Sequence, residues 1–183
     1  MIIYLVRHGQ TEYNKLKRIQ GTQDHPLTQD GIEDAKRCAK ALKDKRVHGL
    51  FSSPLLRALN TAEVIGEEIG LPVKIDDRLK ERFFGKIEGE SYDSIALGYD
   101  FWDELDTYYP DHGIESRESM DERALSFFRD LEQEGLESVV VVSHGAFIRS
   151  ILRTLSNSGH ELLEGYRVPH NGEILELTWK EDQ

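Results

Sequence analysis

The chain has 183 residues, 38% of them hydrophobic and 31% charged, a length and balance that suit one globular domain with a substantial core. A formal net charge of -11 at pH 7 argues against a protein that tracks polyanionic backbones, so nucleic acid is not an expected partner, although a few cations focused in a cleft can still hold a small anion. The single cysteine, Cys38, excludes an intrachain disulfide and a cysteine-based metal cluster.

No apolar run approaches the roughly 20 residues that span a bilayer, and the first is cut by Arg7 before it forms a signal-peptide core, so no membrane contact and a cytoplasmic location are expected. Residues 2 to 7 are apolar on alternate and intervening positions alike and predict a fully buried strand. Thr28 offers an N-cap to "LTQDGIEDAKRCAKALKDK", where Ile32, Ala35, Cys38, Ala39 and Leu42 recur at helical spacing. Cys38 therefore reads as a packing residue. "HGLFSS" predicts a second strand, after which Ser53 and Pro54 read as cap and first position of a helix that ends at Gly70.

Val73 to Ile75 predicts a short strand. "ERFFGKIEGE" has the glycines of a loop, and "SYDSIALGYDFWDELDTYY" predicts one or two short helices. "SRESMDERALSFFRDLEQEG" is amphipathic, "SVVVV" is a β-branched strand that runs into a helix, and "EILELTW" alternates as a closing strand. The alternation predicts an α/β fold: three layers, α/β/α, around a mainly parallel central sheet, in a single domain 1–183 with a small insertion over the active site at about 84–116. No tandem repeat or low-complexity linker interrupts it.

"LVRHG" and "VVSHG" each end an apolar strand in His-Gly, at His8 and His144. Ligands of open parallel sheets bind outside the carboxyl ends of strands, so the two imidazoles are expected to share a cleft. Either histidine alone reads equally well as a hydrogen-bonded strand-end residue, and the pair as metal ligands. A metal would want a third ligand, and Asp24, His25, Glu81, His112 and His170 form no recognisable ligand spacing with them. Arg7 and Arg57, both near strand ends, favour an anion pocket, since guanidinium groups hold phosphate or carboxylate with a planar fork and repel a metal ion. Arg57 alone reads otherwise as a surface residue paired with Glu63.

The ordered blocks "LVRHGQTEYN", "QGTQDHPLTQDG", "SSPLLRALNTAE", "ERFFGKIEGE" and "VVVSHGAFIR" resemble the histidine phosphatase superfamily, in its phosphoglycerate mutase-like branch, over nearly the full chain. The resemblance implies that His8 is a nucleophile transiently phosphorylated on its ring, and that Arg7, Arg57 and His144 hold the phosphoryl group. It implies auxiliary phosphate contacts from Asn14, Gln20 and Gly21, less firmly from Thr11, and Glu81 as proton donor. A small phosphorylated metabolite is the implied substrate, with neither metal nor cofactor. A homo-oligomer is left open. "HGIESRESM" departs from the "GGES" block of similar phosphatases, which leaves Glu115 and Ser116 without an assigned role, as is Asn171.

The same phosphohistidine serves a phosphatase and a cofactor-dependent phosphoglycerate mutase, and a mutase needs extra cations to hold its intermediate. From Ile87 to Ser116 there is no Lys or Arg, while Glu88, Glu90, Asp93, Asp100, Asp103, Glu104, Asp106, Asp111 and Glu115 are acidic and six residues are aromatic. Hydrolysis is therefore the first expectation, a mutase the second, and a non-catalytic phosphate-ligand binding module the third. The acids read equally as a solvated outer face.

Overall fold

A computed structural model describes residues 1–95, 104–157 and 168–179. Five strands form one sheet: β1 (Ile2–Arg7), β2 (Gly49–Ser52), β3 (Val73–Ile75), β4 (Ser138–Ser143) and β5 (Ile174–Thr178), in the order β3-β2-β4-β1-β5. Only β5 runs antiparallel, against β1. In the register, Arg7 stands beside Ser143, and Ser52 beside Val142, so β1, β4 and β2 end level with one another. That alignment brings the residues after three strands to one edge.

The described helices are α1 (Glu12–Lys15), α2 (Gln29–Leu42), α3 (Leu56–Ile69), α4 (Leu105–Tyr108), α5 (Arg117–Gln133) and α6 (Gly145–Asn157). Strand side chains alternate between two cores, as period-two geometry requires. Ile3, Leu5, Val139 and Val141 pack with Phe127, Phe128 and Leu131 of α5 and with Phe147 and Ile151 of α6. Tyr4, Val6, Val140 and Val142 pack with Cys38 and Leu42 of α2 and with Ala58 and Ile65 of α3. This is the α/β/α sandwich that the unbroken apolar strands predict. Each such side chain contributes roughly 1.5–3 kcal/mol when fully buried.

Thr28 caps α2 by accepting from the Gly31 N–H at 3.1 Å, as its sequence position predicts. The start of α3 differs. It begins at Leu56, not at Pro54, and the Leu56 N–H is capped from a distance by Asp24 Oδ1 at 2.6 Å. Ser53 lies before the helix, where its hydroxyl accepts from the Leu55 N–H at 3.2 Å and faces His144, as described below. The helix ends at Gly70 in the left-handed region, φ 73°, which glycine adopts without a Cβ clash.

Residues 84–95 form two short 3-10 turns, and α4 follows the segment 96–103, which lies outside the described residues together with part of the expected short helices. Ile19, Phe84, Ile87, Ile95, Leu105 and Ile114 make a third, smaller core that binds these turns to the loop after α1. Arg82, fully buried, ties them further by donating to Asp106 at 2.7 Å and to the Glu115 carbonyl at 2.8 Å.

Candidate active site

The strand ends deliver His8 and His144 with ring centroids 5.1 Å apart, both fully buried. Nδ1 of His8 lies 2.7 Å from the Gly9 carbonyl oxygen. A carbonyl can only accept, so Nδ1 carries the proton and the neutral ring presents its lone pair at Nε2. Arg57 Nε stands 3.3 Å from that atom. Burial first, then the charges of Arg57 and Arg7, hold His8 well below its ordinary pKa of 6.5, against an opposing pull from the Gly9 hydrogen bond.

Arg57 is 1% exposed and does not pair with Glu63, which accepts from Asn60 instead. Its Nη1 and Nη2 donate to the carbonyls of Gln23 at 2.8 Å and Gly21 at 2.7 Å. Three of its five N–H groups are thus engaged, and the plane of the fork is fixed. Burial lowers its pKa to about 10, with Glu81 and Asp24 pulling the other way, so it stays cationic at neutral pH. Arg7 donates from Nη1 to the Pro169 carbonyl at 2.7 Å, and its guanidinium packs against Gly145, where a Cβ would come within 3.4 Å of it.

His144 Nε2 is 2.8 Å from Ser53 Oγ, and that hydroxyl also accepts from the Leu55 N–H at 3.2 Å. Ser53 keeps one proton and a second lone pair for His144, and when it donates to Nε2 the imidazole proton sits on Nδ1. Nδ1 is buried and has no hydrogen-bond partner. In the Nδ1–H tautomer it is a buried donor that a bound anion satisfies. Burial, then Arg57 and His8, keep His144 well below 6.5 as well.

Glu81 reaches the start of α6, and its carboxylate is near enough to Arg57 to raise that group's pKa. Lys80 pairs with Asp77 and Arg82 with Asp106, so neither neighbour neutralises it. Its carboxylate accepts from the N–H groups of Arg82 at 2.9 Å, Phe147 at 3.0 Å and Ala146 at 3.2 Å. The free N–H groups at the start of α6 are in part taken by this side chain. Gln20 is buried, and Thr11 Oγ1 stands 2.7 Å from its Oε1 and 3.0 Å from Asn14 Oδ1. Thr11 caps α1, so its hydroxyl is spent inside the protein.

Residues 3–183 match the histidine phosphatase superfamily (branch 1). The chain belongs to that superfamily. It is 34% identical to the glucosyl-3-phosphoglycerate phosphatase of Mycolicibacterium vanbaalenii, over 84% of this chain and 73% of the relative. It is 35% identical to the "Probable phosphoglycerate mutase GpmB" of Escherichia coli O1:K1, over 84% and 74%. A mutant phosphoserine phosphatase from Entamoeba histolytica, solved in complex with phosphoserine, superposes with a TM-score of 0.79 at 27% identity, over 98% of this chain and 91% of that one. Membership makes the chain an enzyme of the metal-independent histidine phosphatase class.

Several partners in this histidine phosphatase site went unread in the sequence. Ser53 passed as a helix cap. Glu88 counted only as one acid of the insertion, yet its Oε1 accepts from Thr22 N–H at 2.9 Å and Phe84 N–H at 3.1 Å, joining the loop that carries Gly21 to the 84–88 turn. Asn171 donates to the His8 carbonyl at 3.0 Å and to Asn14 Oδ1 at 3.2 Å. Glu115 pairs with Arg123 at 2.8 Å, and Ser116 caps α5, so both residues of the divergent "HGIES" block have structural partners. Among the described residues no group of three or more His, Cys, Asp or Glu is placed to hold a metal ion, and no helix is long and apolar enough to cross a membrane.

Proposed function

We propose that the chain hydrolyses small phosphomonoesters through a phosphohistidine on Nε2 of His8. The observation that carries this reading is the doubly held imidazole: Nδ1 fixed by the Gly9 carbonyl and Nε2 facing Arg57 at 3.3 Å. On substrate binding the Arg57 Nε–H passes from Nε2 to a phosphoryl oxygen, and the freed lone pair attacks phosphorus in line as the ester P–O bond breaks, while Glu81, protonated at that stage, gives its proton to the leaving oxygen. Water then loses a proton to the Glu81 carboxylate and attacks the same phosphorus; the P–N bond breaks, and inorganic phosphate and neutral His8 result.

Arg7, the two remaining N–H groups of Arg57 and Nδ1–H of His144 hold the equatorial oxygens, where charge spreads during transfer. Asn14 and Gln20 add amide donors, and Gly21 acts through Arg57, whose Nη2 its carbonyl fixes. The stretch 87–116 has no Lys or Arg, which favours hydrolysis over a mutase, since no cation there holds a second anionic group. The mutase reading survives as the second one because of the GpmB relative.

A phosphomonoester panel with and without EDTA, run on wild type, His8→Ala and Glu81→Gln, tests the reading. Full activity in EDTA, no turnover by His8→Ala, and an acid-labile phosphoryl group trapped on the wild type are expected. Glu81→Gln is expected to slow alkyl phosphates about 100-fold while retaining protection by inorganic phosphate. Undiminished hydrolysis by His8→Ala overturns the reading, and isomerisation of phosphoglycerate with bisphosphoglycerate, faster than hydrolysis, replaces it with the mutase.

A further inference from the structure

The peptide that orients His8 has a second end. Its carbonyl, from Gly9, accepts from His8 Nδ1–H at 2.7 Å; its N–H, from Gln10, donates to Asp34 Oδ2 at 3.0 Å. Amide resonance couples the two ends of one peptide unit, so a negative charge accepting at nitrogen draws electron density onto the oxygen.

Asp34 is built into this position. It lies on α2, 7% exposed, and Arg37 holds its other oxygen, which leaves Oδ2 turned to Gln10. The helix reaches the His8 loop only because glycines permit it. A Cβ on Gly9 would fall 2.2 Å from the Gly31 carbonyl oxygen, one on Gly31 2.1 Å from the Gln10 oxygen, and one on Gly172 2.6 Å from the Asp34 Cβ. The Gly172 N–H in turn donates to the Arg7 carbonyl at 3.0 Å, so the loops on either side of the Asp34 carboxylate are fixed relative to β1. The ion pair with Arg37, a side chain 67% exposed, is worth little by itself and does not account for a carboxylate placed against the loop of the nucleophile.

We propose that Asp34 is a positioning residue for His8, acting through the Gly9–Gln10 peptide: it polarises that amide, fixes the Nδ1–H tautomer, and stabilises the positive charge the imidazole gains as Nε2 takes a phosphoryl group. In hydrolases that use an Asp–His pair the carboxylate touches the ring directly; here one peptide is interposed. The inference rests on the reading of His8 as nucleophile.

It also makes the two half-reactions respond oppositely. Phosphorylation builds charge on the ring, and hydrolysis of the phosphohistidine removes it. Asp34→Asn keeps an acceptor for the Gln10 N–H and removes the charge. Rapid-quench kinetics with p-nitrophenyl phosphate are expected to show the burst of phosphorylation slowed about two- to five-fold, the scale of cooperative hydrogen-bond strengthening, while hydrolysis of the isolated phosphoenzyme is not slowed. In the resting variant, the proton NMR signal of His8 Nδ1–H moves upfield. Arg37→Gln, on the exposed side, removes the cation competing for Asp34 and moves the same signal downfield, which keeps a test if Asp34→Asn folds poorly.

Both half-reactions slowing together, or a Nδ1–H signal unmoved in Asp34→Asn and Arg37→Gln alike, overturns the role of Asp34. A wild type that forms no phosphoenzyme overturns the nucleophile reading instead, and the resonance arm then still judges the Asp34–peptide–His8 contact.

Discussion

Arg57 donates from Nε to the neutral Nε2 of His8 at 3.3 Å while its two Nη atoms are fixed on the carbonyls of Gly21 and Gln23. One buried guanidinium therefore aligns the nucleophile and holds the neighbouring loop. Arg57→Lys retains the charge and loses the fork. The expected result is a fall in kcat/KM of about 100-fold, the scale of removing one preorganised donor from a transition state. The buried Gly21 carbonyl also loses its donor, at about 1–3 kcal/mol, and the half-buried Gln23 carbonyl loses one at a smaller cost. Steady-state kinetics and urea denaturation check the two effects separately.

Ser53 Oγ lies 2.8 Å from His144 Nε2, and for Nδ1–H of His144 to face the phosphoryl group the hydroxyl must give its proton to Nε2. Without that hydroxyl the imidazole is free to carry its proton on Nε2, and Nδ1 no longer donates. Ser53→Ala is expected to lower kcat/KM about ten-fold, the order of one hydrogen bond to a charged group. Ser53→Thr, which keeps the hydroxyl, restores most of it. Equal activity of Ser53→Ala and wild type at saturating and limiting substrate would remove Ser53 from the site.

The two buried histidines also set a pH dependence of stability. Their folded pKa values lie well below 6.5, so above that value both states hold them neutral and they contribute nothing. As pH falls through 6.5 the unfolded chain binds protons that the native chain refuses, and stability declines. Between pH 7.5 and 5.5 each histidine costs about 1.4 kcal/mol while its native ring stays neutral. His144→Gln is expected to show a correspondingly smaller loss than wild type over that interval, measured by urea denaturation. An identical loss in the two proteins would show that His144 takes up its proton in the native state.

The sheet, the two cores and the pairing of His8 with His144 were legible in the sequence because they follow from period: unbroken apolar strands, helical spacing at Ala35, Cys38 and Leu42, and His-Gly at two strand ends. The partners of those histidines were not. Ser53 had every local mark of a helix cap, yet α3 begins at Leu56, whose N–H the distant carboxylate of Asp24 reaches, and the Ser53 hydroxyl faces His144. Glu88 and Asp106 counted toward an acidic surface until the chain brought Thr22 and Arg82 to them. Long-range hydrogen bonds between loops leave no periodic trace, so a residue's local preference conceals its tertiary role.

Arg82 offers the sharpest separation of stability from chemistry. Its guanidinium is 1% exposed, donates to Asp106 at 2.7 Å and to the Glu115 carbonyl at 2.8 Å, and lies over the Phe84 ring at 5.8 Å. It is a cation of the "ERFFG" block adjoining Glu81, yet all three of these partners belong to the 84–116 segment. Asp106→Asn removes the carboxylate that faces the buried cation at 2.7 Å and is expected to destabilise the protein by about 3 kcal/mol, the scale of breaking a buried pair on one side. Arg82→Met, which removes the charge and keeps much of the volume, is expected to cost less. Because these guanidinium contacts are made to the 84–116 segment, the Asp106→Asn protein that remains folded at 10 °C should hydrolyse p-nitrophenyl phosphate with kcat within about two-fold of wild type. Urea denaturation and initial rates on the same samples measure both. A kcat loss like that of Arg57→Lys, without a stability loss, would assign the pair to the reaction instead of to the fold.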